Sequence, residues 1–228
     1  MSNLSQNSQY PQQDMVISYL TIRKAVGYLG LTFPVILAVG TWLIGRCTCL
    51  EISVSAYYYT IMGNYFVGTL CGVGLFLFSY KGYDRVDQIL SKAAAVFALG
   101  IAFLPTNVKD SFCTGCNVFT KPNSTFLNTA HYLTSAFFFT IMAYMSIFLF
   151  TKTDPGQQPT AQKLWRNKIY KTCGYTMVFF LILIPALAIK AIPASWLTYK
   201  PEFWFEAIVL GAFGVSWLTK GEAILQDK

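Results

Sequence analysis

Apolar residues along this chain gather into six long runs separated by short polar segments. The runs cover 25–45, 62–80, 89–106, 128–150, 169–190 and 203–219. A helix needs about 20 mainly apolar residues to cross a bilayer. The pattern therefore predicts an all-α protein, a polytopic six-helix transmembrane bundle forming one domain over 21–228. The polar stretch 1–20, uncharged until Asp14, reads as a disordered tail. A seventh span would need "SVSAYYYT" to cross, and eight residues are too few for a helix. That stretch could enter the membrane only as a re-entrant segment whose backbone is shielded by protein.

Composition agrees with this reading. The chain of 228 residues is 54% hydrophobic and only 12% charged. The net charge of +7 is spread over separate loops and termini, so it does not form a nucleic-acid surface, and no nucleic-acid partner is expected. With both termini on one side, twelve Lys and Arg fall on that side and five on the other. This bias predicts cytoplasmic termini. The first apolar run has no cleavage site, and Arg46 rules out the lipoprotein reading of "LIGRC". Trp42, Trp196 and Trp204 fall at outer ends of runs, Trp165 and Trp217 at inner ends, as an aromatic belt would.

Of six cysteines, Cys71 and Cys173 lie within runs. Cys47, Cys49, Cys113 and Cys116 all fall on the outer side, as C-x-C and C-x-x-C. Disulfides are the favoured reading, with at least one bridge joining the two loops. A tetrathiolate metal site and a redox-active pair remain as alternatives. A c-type haem is excluded because Asn follows Cys116. No cofactor and no metal are expected.

Small residues recur in the runs: Gly68, Gly72 and Gly74; the alanines between 93 and 102; Gly211 and Gly214. They predict close helix approach inside one bundle, with a homo-oligomer through the same faces as the alternative. Pro34 and Pro185 fall mid-run and each frees a backbone carbonyl. No internal repeat is evident, and no Asp, Glu or Arg lies deep in a run, which argues against an ion-coupled carrier. No filter motif suggests a channel.

Polar chemistry collects instead at the outer boundary. His131, the only histidine, opens the fourth run, with Ser135 one turn below it. Glu202 and Glu206 share a face at the start of the sixth. Glu51, Asp110 and the stretch 53–59 come from neighbouring loops. One reading makes the serines and tyrosines interfacial anchors and a helix cap. The other gathers Ser53, Ser55, Tyr57, Tyr58, Tyr59, His131, Ser135 and Glu206 around one shallow outward-facing pocket. In it His131 and Glu206 would meet, with Phe137, Phe138 and Phe139 beneath.

The segments "EISVSAYYY" and "NYFVGTLCGVGLFLFSYKGYD", with a histidine opening the fourth run, resemble bacterial multispan membrane proteins near the Frag/DRAM/Sfk group. The resemblance covers most of the chain, the first to fourth runs best. It implies six spans, cytoplasmic termini and a bacterial inner membrane. It also implies a role in lipid remodelling, lipid asymmetry or membrane stress, and maps that group's serine to Ser53 or Ser55 and its histidine to His131. The outer cysteines and the triple tyrosine depart from the pattern.

Two function classes follow. The first is a non-catalytic protein that binds or helps handle membrane lipid at the outer pocket. The second is an intramembrane lipid hydrolase or acyltransferase, with Ser55 as nucleophile, His131 as base and Glu206 or Glu51 orienting the imidazole.

Overall fold

The computed structural model describes residues 9–82, 84–107, 116–118, 124–153, 156, 158–188 and 198–225. Among them are six long helices and no strand. They are α1 (Gln9–Gly45), α2 (Gly63–Ser79), α3 (Arg85–Phe103), α4 (Thr125–Tyr144), α5 (Ala161–Ala188) and α6 (Pro201–Lys220). Four stretches are long and apolar enough to cross a membrane: Tyr19–Gly45, Arg85–Phe103, Thr125–Leu149 and Ala161–Leu187. Of the other two helices, α2 is apolar but only 17 residues long, about 25 Å. The sixth helix carries Glu202, Glu206 and Lys220 within its 20 residues. The outward faces are apolar. Leu43, Leu75, Val96, Phe148 and Ile182 are each more than half exposed, an arrangement suited to lipid rather than water.

Local sequence sets the helix starts. Asp84 caps α3 by accepting from the Asp87 amide at 3.0 Å, and Ser124 caps α4 through the Leu127 amide at 3.4 Å. Pro201 stands at the start of α6, where its missing N–H costs nothing. The fourth helix ends in a π-turn, Met145–Leu149. There the Ser146 hydroxyl donates to the Tyr170 carbonyl at 2.8 Å and lies 2.7 Å from the Ser216 hydroxyl, joining α4, α5 and α6.

The sixth helix packs against both α1 and α5, while α2 lies on α3 and α3 on α4. The crossing of α1 and α6 is close because glycines line it. A Cβ on Gly214 would stand 2.7 Å from the Leu31 nitrogen and 2.8 Å from the Gly27 oxygen. A Cβ on Gly100 would reach Thr134 at 2.7 Å, which explains a glycine at the contact of α3 and α4.

Several expectations change. The polar tail is helical from Gln9, so disorder does not extend over 9–20; Pro11 falls in the first turn, which tolerates it. The fifth helix begins at Ala161, eight residues ahead of its apolar run. Gly68 and Gly72 have no neighbour within 4 Å of an added Cβ, so they do not serve contacts inside the bundle. Trp217 is buried rather than interfacial, edge-on to Tyr80 and Phe150. Trp196 lies outside the described residues.

One end of the bundle carries the disulfide Cys47–Cys116, which links the loop after α1 to the loop between α3 and α4 across a separation of 69 residues. Beside it, Thr60 and Asn117 form an isolated antiparallel bridge. At the opposite end Lys152 bridges Asp84 at 2.8 Å and Asp87 at 3.1 Å. That contact holds the Asp84 carboxyl below its usual range.

Candidate functional site

The site is built on the loop between α1 and α2, at the disulfide end. There the chain folds inward as one turn of 3-10 helix, Ser55–Tyr59. The Ser53 hydroxyl accepts from the Ala56 amide at 3.1 Å, and the Tyr57 amide reaches the Val54 carbonyl at 3.2 Å. A helical start leaves its first amides without partners of its own. Glu206 supplies them: its Oε2 accepts from the Val54 amide at 2.5 Å and the Ser55 amide at 3.3 Å. The Phe203 amide donates to the Ile52 carbonyl at 3.0 Å and fixes the start of α6 against the same turn. The stretch thus folds back onto the bundle with these backbone groups satisfied by protein.

The tyrosines are structural members of this turn. Tyr57 and Tyr59 are each only 1% exposed, so they are not interfacial anchors. The Tyr59 hydroxyl donates to the Thr106 carbonyl at 2.6 Å, and the Tyr57 hydroxyl accepts from the Glu51 amide at 3.3 Å. Burial pushes both hydroxyls up to about 12, so they stay protonated. Tyr58 packs edge-on against Tyr59 and Phe66.

His131 sits in the second turn of α4, 2% exposed. Its Nδ1 lies 2.6 Å from the Leu104 carbonyl, and its Nε2 lies 3.0 Å from the Ser55 hydroxyl. A carbonyl can only accept, so Nδ1 carries the proton and, in the neutral ring, Nε2 accepts from Ser55. The loop presenting Leu104 is held by Asn128, one turn earlier on α4. Its Oδ1 accepts from the Thr106 hydroxyl at 3.0 Å and the Asn107 amide at 2.8 Å. The imidazole is therefore oriented by a backbone carbonyl. Neither Glu206 nor Glu51 fills that role, and the expected contact of His131 with Glu206 is replaced by a shared partner: both reach Ser55, from different sides.

Below this cluster lies a cavity of about 910 Å³, lined by all six helices. Ser55, His131, Asn107, Asn128, Glu202 and Lys200 stand at its polar end. Val73, Phe138, Phe139, Leu210 and Phe213 line the remainder. Val73 is ten residues into α2 and Phe213 twelve into α6, so at 1.5 Å per residue the cavity descends about 15–18 Å from the helix starts. Leu181 and Pro185 line it too, so the carbonyl that the proline frees belongs to a wall residue.

Of the residues expected to surround one pocket, Ser55, His131, Ser135 and Glu206 line this cavity. Ser53, Tyr57, Tyr58 and Tyr59 stand behind it as the framework of the turn. Phe137 points away from it, 53% exposed and stacked on Phe97. Sequence reasoning missed Asn128 and the Leu104 carbonyl, and it placed Glu202 on the face of Glu206 without a role. The spacing of Asn128 and His131, three apart on one helix, was the available signal. Cys47 and Cys116 are spent in their disulfide, which removes both as metal ligands. Cys49 is disulfide-bonded too, while Cys113 and Asp110 lie outside the described residues. Among the described residues no group of three His, Cys, Asp or Glu is arranged to hold a metal.

No family model, no curated protein and no solved structure matches the chain.

Proposed function

We propose that this is a membrane protein that binds or helps handle lipid, its cavity receiving a tail below and a headgroup at the Ser55–His131 end. In this reading the disulfide end faces outward from a bacterial inner membrane and both termini are cytoplasmic. The Lys and Arg bias and the oxidised cysteines support that orientation. The observation that carries the proposal is the cavity itself. Its volume is at the upper end of the range for small-molecule sites, and its ionisable groups are gathered at one end.

The test is lipid retention. The protein is purified in mild detergent and its bound lipid counted by native mass spectrometry. Ser135→Phe, which places a ring in the cavity, should abolish retention while leaving the thermal melt and the disulfide unchanged. Equal retention by this variant, or none by the wild type, would overturn the proposal.

A second reading has one specific observation in its favour, the hydrogen bond from the Ser55 hydroxyl to Nε2 of His131. In an acyl transfer, the Ser55 oxygen would attack an ester carbonyl and its proton would pass to Nε2, then to the leaving alcohol. Against it, the Val54 and Ser55 amides are taken by the Glu206 carboxylate, which leaves them unable to stabilise an oxyanion. Labelling of Ser55 by a fluorophosphonate, lost in Ser55→Ala, would favour this reading. An unlabelled serine would leave binding alone.

A further inference from the structure

The polar end of the cavity carries more acid than base. Glu202 and Glu206 stand four residues apart on α6, one turn above the other, and both line the cavity. Both amides that Glu206 accepts from converge on Oε2. Among the described residues no hydrogen bond reaches its Oε1 or either oxygen of Glu202. The ion pairs found there join Lys152 to Asp84 and Asp87, and Arg166 to Glu222, all away from this site.

The other charged groups nearby do not balance these acids. Lys200 lines the same end, but burial lowers its pKa and disfavours its charge, an effect that the buried Glu51 beside it offsets only in part. His131 is engaged at both nitrogens in its neutral form. Two carboxylates are left facing one cavity walled largely by apolar side chains. Unpaired charge in such a setting is costly, and two like charges one turn apart add repulsion. A cation held between them removes both penalties. Tyr132 lines the same end and offers a ring to an ammonium.

We infer that the cavity takes a lipid whose headgroup carries an ammonium, held between Glu202 and Glu206, and discriminates against headgroups that are purely anionic. This rests on the lipid-binding reading and adds the headgroup class to it. The Ser55–His131 pair, with its hydroxyl, lies at the same end and faces the ester region of such a lipid.

The experiment uses the full chain in mild detergent, titrated with phosphatidylethanolamine or phosphatidylglycerol of matched tails, with bound lipid counted by native mass spectrometry. The wild type should retain phosphatidylethanolamine in preference. Glu202→Gln is the chosen variant because Glu202 makes no hydrogen bond within the described protein, so its loss spares the fold. It should reduce the preference about tenfold, as expected for one charge-assisted contact. Equal retention of both lipids by the wild type would overturn the ammonium assignment and leave lipid binding standing. Retention of neither would remove both. An unchanged preference in Glu202→Gln would also overturn the assignment, because the acids would then not be what selects the headgroup.

Discussion

Replacing Glu206 tests the central joint of the site. Its carboxylate is the acceptor for two amides, Val54 and Ser55, that the 3-10 turn cannot satisfy from within. Glu206→Ala leaves both without a protein acceptor. At about 1–3 kcal/mol for each orphaned group, the turn should lose about 2–6 kcal/mol of local stability. Glu206→Gln keeps a side-chain oxygen in place and gives up only the charge assistance, a cost of about 1 kcal/mol. Hydrogen–deuterium exchange of a peptide covering 52–60, followed by mass spectrometry on the detergent-solubilised protein, reads this directly. A loss of 2–6 kcal/mol corresponds to exchange faster by about 30-fold to 10⁴-fold, since each 1.4 kcal/mol is a factor of ten. The glutamine variant should stay within about tenfold of the wild type. Alanine-variant amides that exchange as slowly as the native ones would refute the assignment of Glu206 as the cap. So would a glutamine variant as fast as the alanine one.

Two further outcomes are expected. Intact mass after alkylation under denaturing conditions should show Cys71 and Cys173 modified without reductant and Cys47 and Cys116 only with it; removing that bridge, which closes a loop of 69 residues, should cost up to about 4 kcal/mol and lower the thermal midpoint in detergent. Gly214→Ala should lower the same midpoint, because its Cβ would strike the α1 backbone at a cost of about 1–3 kcal/mol, whereas Gly211→Ala, which meets nothing within 4 Å, should not; equal melts would contradict the glycine-lined crossing.

Much of the architecture was legible because a bilayer imposes a length on apolar runs, and each of the six runs overlaps one helix. The errors lie where hydropathy carries no information. The fifth helix extends through Ala161–Lys168, a stretch with three basic residues that favours helix but not lipid. Gly27 and Gly30 make the close contact with α6, while a Cβ added at the more conspicuous Gly68 or Gly72 would meet nothing within 4 Å; glycine spacing does not say which face meets a neighbour. The site was half visible. Residue types identified Ser55, His131 and Glu206, since a carboxylate or imidazole beside an apolar run needs a partner. The pairing among them was not visible. The imidazole is oriented by a main-chain oxygen, at Leu104, which any residue could supply. The tyrosines looked interfacial because their composition is amphipathic. Their burial depends on Thr106, 47 residues away, and on a turn completed by Glu206.

The reach of Glu206 sets an order in time. The amide of Val54 waits for an acceptor 152 positions further along the chain. Synthesis runs from the N-terminus at about 5–20 residues per second, so Cys116 emerges roughly 5–20 s before Glu206 does. In that interval both sulfurs of the bridge already exist, whereas the carboxylate that closes the turn does not. The covalent link can thus be made around an unfinished centre, holding the first two loops in register until the last helix arrives. A chain truncated before α6 should still oxidise at Cys47 and Cys116, yet its Val54 and Ser55 amides would lack the carboxylate that caps them.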